Sequence, residues 1–74
     1  MDYSKHFKES QIDIAKEYSR KMDHELRQTI ALRNQGKFDT AEMHLAHGLR
    51  LLGELRTMNI SYLTEAEKAR YSWM

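Results

Sequence analysis

The chain has 74 residues, of which 12 are Lys or Arg, 11 are Asp or Glu, and none is cysteine or proline. Basic and acidic residues are interspersed along the whole chain, which disfavours the basic stripe that a nucleic-acid backbone requires. The lack of cysteine excludes disulfides and thiolate zinc sites. The first ten residues lack the apolar segment of a signal peptide, so we expect a cytoplasmic protein.

The composition predicts a single all-α domain over residues 1–74. Glycine occurs three times and valine is absent, while strong helix formers such as Ala, Leu, Glu, Lys, Arg and Met are abundant. Chains of this size bury only about 60% of their unfolded surface and usually need a disulfide, a metal or a second subunit for stability. Self-association is therefore an early expectation.

The first predicted helix spans about residues 4–35, although a later start near Ser10 is also compatible with the sequence. Its apolar side chains share one face, within roughly 160° of arc at 100° per residue. They are Phe7, Ile14, Ala15, Tyr18, Met22, Leu26 and Ile30. Gly36 follows the last periodic residues, where a left-handed helix cap favours glycine. We expect the helix to end there.

The second predicted helix spans about residues 40–57, with Asp39 and Glu42 placed as a capping box. The turn before it is so short that the two helices must be antiparallel. Its apolar residues spread over about 180°, wider than one packed helix covers: Ala41, Leu45, Gly48, Leu49, Leu51, Leu52, Leu55 and Met58. We expect contacts on two flanks, a close helix approach at Gly48, and a core position at Leu52 whose replacement by Ala costs roughly 2–5 kcal/mol.

A third, short helix is predicted over about residues 65–73, because Thr64 and Glu67 can form a second capping box. At these lengths the first helix extends past the second by about 15 Å. The tail, or the same region of a second subunit, is expected to cover that overhang. The predicted fold is an antiparallel helical hairpin with a short C-terminal helix, doubled into a four-helix dimer.

Aromatic and apolar residues near the two termini are candidates for an interface, because tyrosine and tryptophan are enriched at interface hot spots. The predicted interface residues are Tyr3, Phe7, Ile14, Tyr18, Leu51, Leu55, Met58, Tyr62 and Trp73. The alternative, that the aromatic residues form the core of a single chain, stays open at this point.

The spacing His44-x-x-His47 places two imidazoles on neighbouring positions of one helix face. Zinc or copper would need two further ligands, for which Glu54, His6 and His24 are candidates. The favoured interpretation is a packed His44 and a solvated His47, so we assign no metal, cofactor or catalytic residue. The chain also lacks a glycine-rich phosphate loop and a converging nucleophile and base. We therefore expect a protein that is not an enzyme.

The stretch from Leu32 to Leu52 resembles one tetratricopeptide-type helical hairpin. The likeness rests on Gly36 and Phe38 at the turn and on the second helix's packing positions, which are Ala41, Leu45, Gly48 and Leu49. That family is a protein-binding scaffold, so the resemblance implies interaction with proteins.

These features predict a non-enzymatic adaptor, inhibitor or modulator that binds a protein partner, including a copy of itself. Short helical chains of this kind are common among bacterial and phage accessory proteins. One alternative is a nucleic-acid-associated regulator whose basic surface forms only in the dimer. The other is assembly that depends on a metal held by His44 and His47. Neither a membrane nor a small-molecule substrate is expected.

Overall fold

A computed structural model describes residues 1–71 of the chain. Two short 3-10 turns, Tyr3–Lys5 and Glu9–Gln11, precede helix α1, Ile12–Asn34, and helix α2, Phe38–Tyr71. The two helices pack against each other as an antiparallel hairpin, and residues 1–71 contain no strand. The predicted all-α hairpin is confirmed. None of the described helices is long and apolar enough to cross a membrane.

The turn between the helices contains a glycine in the left-handed backbone conformation. Gly36 has φ +76°, a conformation that costs a residue with a Cβ about 1–2 kcal/mol. The N–H of Lys37 donates to the carbonyl of Leu32 at 2.9 Å, and the N–H of Gly36 donates to that of Arg33 at 3.0 Å. These two bonds form a Schellman motif that satisfies the last carbonyls of α1. The predicted glycine cap is confirmed.

Helix α2 differs from the prediction at both ends. It begins at Phe38, so Asp39 lies inside the first turn and does not take the N-cap position. The predicted link at 58–64 and third helix at 65–73 instead continue α2 without a break as far as Tyr71. The segment 58–64 contains no glycine or proline, and the Thr64 hydroxyl donates to the carbonyl of Ile60 at 2.9 Å, a bond made inside a helix. The last residues of the predicted third helix, including Trp73, lie outside the described part.

The N-terminal segment also differs from the prediction, because α1 begins at Ile12 and α2, not α1, is the longer helix. Asp2 caps the first 3-10 turn by accepting from the Ser4 N–H at 3.1 Å. The turns then fold back along α2. The Asn59 side-chain amide donates to the backbone carbonyl of His6 at 2.9 Å, and Lys8 pairs with Glu65 at 2.8 Å. The predicted overhang of α1 is therefore wrong, because the chain leaves the helical path before Ile12.

The core is small and lies toward the chain termini. Phe7, Ala15 and Met58 are buried there, with Tyr3, Ile12, Tyr18 and Leu55 packed against them. Tyr3 and Phe7 stack with ring centroids 5.9 Å apart. Ala41 is buried separately, near the turn. Leu52 is 45% exposed, so its predicted core position is wrong: it lies at the edge of the face that α1 covers, beside a shallow groove that Phe7 and Leu55 also line.

The molecule is a thin rod of 58 × 17 × 15 Å. Its radius of gyration of 16.2 Å compares with about 11 Å for a compact domain of this length. The accessible surface is 5880 Å², whereas a compact monomer of 8.8 kDa exposes about 4,800 Å². The excess, about 1,100 Å² by the same relation, is surface that a compact fold would bury.

Candidate functional site

Helix α2 presents two apolar faces, and α1 covers one of them. The covered face is here called the inner seam. Its residues recur at alternating intervals of three and four, the spacing of a coiled-coil contact. It consists of Ala41, His44, Gly48, Leu51, Leu55, Met58 and Tyr62, all of which are buried or half-buried. These residues face α1 and the N-terminal segment, so the seam is satisfied within one chain.

The second face, here called the outer stripe, is apolar and exposed. It consists of Phe38, Leu45, Leu49, Leu52, Ile60 and Leu63, whose exposed fractions range from 40% to 66%. At 100° per residue these six side chains lie within about 80° of arc. From Phe38 to Leu63 the outer stripe runs for about 38 Å along the helix. Exposed apolar residues aligned along one helix face mark an interaction surface more often than isolated exposed leucines do.

Two opposite charges lie on the outer stripe. Glu42 and Arg56 fall within the same arc of α2, and both are exposed. Glu42 lies toward the turn and Arg56 toward the C-terminal half of the helix. Between Phe38 and Leu63 the outer stripe therefore has a negative group nearer the turn and a positive group nearer its other end, and beyond Leu63 the same arc continues with Glu67 and Arg70.

A polar cluster interrupts the inner seam near the middle of the hairpin. The Nδ1 atom of His44 lies 2.6 Å from Oε2 of Glu25, and Nδ1 of His47 lies 3.9 Å from the same oxygen. The Glu25 side chain is 19% exposed. Its hydrogen bond to His44 is the main cause that holds the pKa of Glu25 below its ordinary value, while desolvation acts in the opposite direction. This arrangement gives the seam a polar contact between α1 and α2.

An open groove of about 580 Å³ adjoins this cluster. It is lined by Leu51 of α2 and, on α1, by Arg20, Lys21, His24, Glu25 and Arg27. Arg20 and Lys21 both pair with Glu17, at 3.4 and 3.6 Å, so the positive charge at this end is partly neutralised. Among residues 1–71, the lining contains no serine, threonine or cysteine that could act as a nucleophile.

The predicted interface residues that the structure describes fall into three groups: in or against the core, half-buried on the inner seam, and exposed. Phe7 and Met58 are buried in the chain's own core, and Tyr3, Tyr18 and Leu55 pack against that core. Leu51 and Tyr62 are half-buried on the inner seam, whereas Ile14 is 49% exposed on α1. Trp73 lies outside the described residues. Most of the predicted set is thus covered without a partner.

Sequence analysis did not identify the two features that matter most here. The sequence suggested Glu54, His6 and His24 as further ligands beside the two histidines, whereas the structure places Glu25 there. Glu25 and His44 are 19 residues apart, so their contact depends on the register between α1 and α2. In the sequence, the outer stripe was evident only because the apolar residues of the second helix spread over a wider arc than one packed helix covers. The alternating three- and four-residue spacing in α2 is the sequence pattern that distinguishes the residues of the inner seam from those of the outer stripe.

The residues that carry the tetratricopeptide resemblance fall on both faces of α2. Ala41 and Gly48 are buried against α1, while Phe38, Leu45 and Leu49 belong to the outer stripe. No protein-family model, curated protein or solved structure matches the chain.

Proposed function

We propose that this protein is a non-enzymatic interaction protein, an adaptor, inhibitor or modulator, that binds helical protein surfaces through the outer stripe of α2. A second copy of the chain is the first such partner. The observation that carries the proposal is the exposed apolar band on a hairpin whose other face is already packed. The resemblance to a tetratricopeptide hairpin and the small core agree with it.

The surface area supports a second copy as the occupant. A standard interface buries about 800 Å² on each partner, and the chain exposes about 1,100 Å² more than a compact monomer of its mass. Its core consists of four buried apolar residues, Phe7, Ala15, Ala41 and Met58. Burying the outer stripe in a dimer adds apolar contact at about 25 cal/mol per Å². Two hairpins joined in this way form a four-helix bundle.

The charges on the outer stripe favour an antiparallel arrangement of the two α2 helices. With Leu49 of one copy against Leu52 of the other, Phe38 faces Leu63 at each end. Glu42 then lies about 4.5 Å along the axis, the rise of three residues, from Arg56 of the other copy. A parallel arrangement instead sets Glu42 against Glu42 and Arg56 against Arg56, and like charges at such an interface are destabilising. The dimer is therefore two-fold symmetric, with identical surfaces in contact.

The experiment that tests the proposal is absolute mass by light scattering over a concentration series. We expect a dimer for the unmodified chain and a monomer for the double variant Leu49→Lys/Leu52→Lys, because two charges would be buried without partners. The matched control is Met43→Lys/Ile14→Lys, which places two lysines at exposed positions outside the outer stripe and should leave the dimer intact.

Either of two results would contradict the proposal. One is a monomer for the unmodified chain at every concentration. The other is a dimer that both double variants retain equally. Circular dichroism of each variant is the check that the hairpin itself remains helical.

A further inference from the structure

The Glu25–His44–His47 cluster offers three potential metal ligands at one point of the hairpin. One ligand atom from each residue lies within 4.8 Å of the other two. Imidazole nitrogens and a carboxylate oxygen are the ligand set that proteins use for zinc and related divalent transition metals. The cluster combines one residue of α1 with two residues of α2, so a bound ion would join the helices.

The distances are close to those that a tetrahedral ion requires. Ligand bonds of about 2.0–2.2 Å place neighbouring ligand atoms about 3.4 Å apart. The Glu25–His44 pair, at 2.6 Å, would have to open by about 0.8 Å to reach that separation. The Glu25–His47 pair, at 3.9 Å, would have to close by about 0.5 Å to match it. The ligand atoms of His44 and His47, which lie within 4.8 Å of each other, have to meet the same separation of about 3.4 Å.

The fold holds the three side chains in place. Glu25 lies opposite Gly48 on α2: a Cβ built at Gly48 would lie 3.7 Å from the Cβ of Glu25. His44 lies on the inner seam and is half-buried, whereas the His47 side chain is 54% exposed. The two rings are edge-on, with centroids 6.3 Å apart. His47 therefore leaves one side of the cluster open to solvent for a fourth ligand such as water.

We propose that Glu25, His44 and His47 bind a divalent transition-metal ion, zinc by ligand preference, as a clip between α1 and α2. Binding replaces the hydrogen bond between His44 and Glu25 by two bonds to the ion and recruits His47. The ion adds a contact between the helices at mid-hairpin, where the core residues Phe7 and Met58 do not reach. This site lies on the inner seam, so it is independent of the outer stripe and of the dimer.

The test is a titration of the purified, chelator-treated chain with Co²⁺ followed by Zn²⁺. We expect one Co²⁺ per chain, with the visible absorption of a tetrahedral site, and displacement of that signal by Zn²⁺. Zn²⁺ should also raise the melting temperature, since an ion that binds only the folded state stabilises it. His47→Gln should weaken Zn²⁺ binding by about tenfold or more, as Glu25→Gln should.

The matched control is His6→Gln, which removes an exposed histidine far from the cluster and should leave the dissociation constant unchanged. His47 is largely exposed, so its variant should fold, and melts in EDTA check this for each protein. Equal affinity in His47→Gln and His6→Gln would overturn the proposal, as would the absence of saturable Co²⁺ binding. A monomeric mass in light scattering would contradict the proposed dimer but not this metal site, so the two proposals can fail separately.

Discussion

The inner and outer faces of α2 contain similar apolar residues but have different surroundings. The inner seam pairs its leucines and Met58 with α1 and the N-terminal turns, and one glutamate reaches two histidines across it. The outer stripe contains larger apolar side chains, including Phe38, and the described part of the chain leaves it exposed. The comparison indicates that the inner seam specifies the hairpin, whereas the outer stripe is suited to another molecule.

The largest effect is expected from truncating the inner seam. Met58→Ala should lower the free energy of unfolding by about 2–5 kcal/mol, because it removes a 9% exposed side chain from the small core. Met43→Ala is the matched control, since Met43 is 62% exposed and lies on neither face; its effect should stay within about 0.5 kcal/mol. Urea unfolding of both variants measures the difference. Equal losses in the two would contradict the assignment of the inner seam.

The turn sets which faces of the two helices meet. Gly36→Ala should lower the free energy of unfolding by about 1–2 kcal/mol, because alanine at φ +76° is strained. Gly53→Ala makes the same change on α2, with nothing within 4 Å of the added Cβ, and should raise that free energy by about 0.5–1 kcal/mol. Thermal melts of the two variants should therefore shift in opposite directions. Shifts of the same sign would show that the cap does not control the hairpin.

Charge reversal on the outer stripe gives a smaller effect. Glu42→Arg and Arg56→Glu should each weaken dimerisation by about 0.5–1 kcal/mol, and the double variant should restore it. The reason is that each single variant places like charges about 4.5 Å apart along the axis of the antiparallel dimer. Dimer dissociation constants from sedimentation equilibrium form the double-mutant cycle. Additive losses in the double variant would exclude this pairing.

The acid limb of the stability curve tests the polar contact on the inner seam. The pKa of Glu25 is lowered mainly by its hydrogen bond to His44. A lowered pKa means that the ionised carboxylate stabilises the folded state at pH values above 4.5, the ordinary pKa of this group. That stabilisation is lost as the pH falls through the lowered pKa. The difference in melting temperature between the unmodified chain and Glu25→Gln should therefore narrow below pH 4.5; a constant difference would show that ionised Glu25 adds nothing.

Sequence reasoning predicted the helical hairpin because the pattern and the turn chemistry agree. Periodic apolar residues end just before Gly36, and a glycine cap at that point leaves a short turn and antiparallel helices. It failed at residues 58–64, where Thr64 was interpreted as a cap although its hydroxyl bonds within the helix. Threonine can make either bond, and the local sequence does not choose between them.

The candidate site was predicted in part. His44 and His47 were recognised as a pair, but Glu25 lies 19 residues away along the chain and depends on the register between α1 and α2. Leu52 was predicted to lie in the core because its position around the helix axis does not by itself distinguish a packed face from an exposed one. That distinction depends on which residues of α1 face α2, and so on tertiary structure.

The central claim, that a second copy covers the outer stripe in an antiparallel arrangement, is tested most directly by a distance measurement. Thr40→Cys introduces the single thiol of a cysteine-free chain, at an exposed position outside the outer stripe, for a spin label. In the antiparallel dimer the two labels lie 21 residues apart along the paired helices, so pulsed EPR should give about 30–40 Å. A distance below about 20 Å would indicate parallel helices, and the absence of any dipolar coupling would indicate a monomer. Either result would contradict the account.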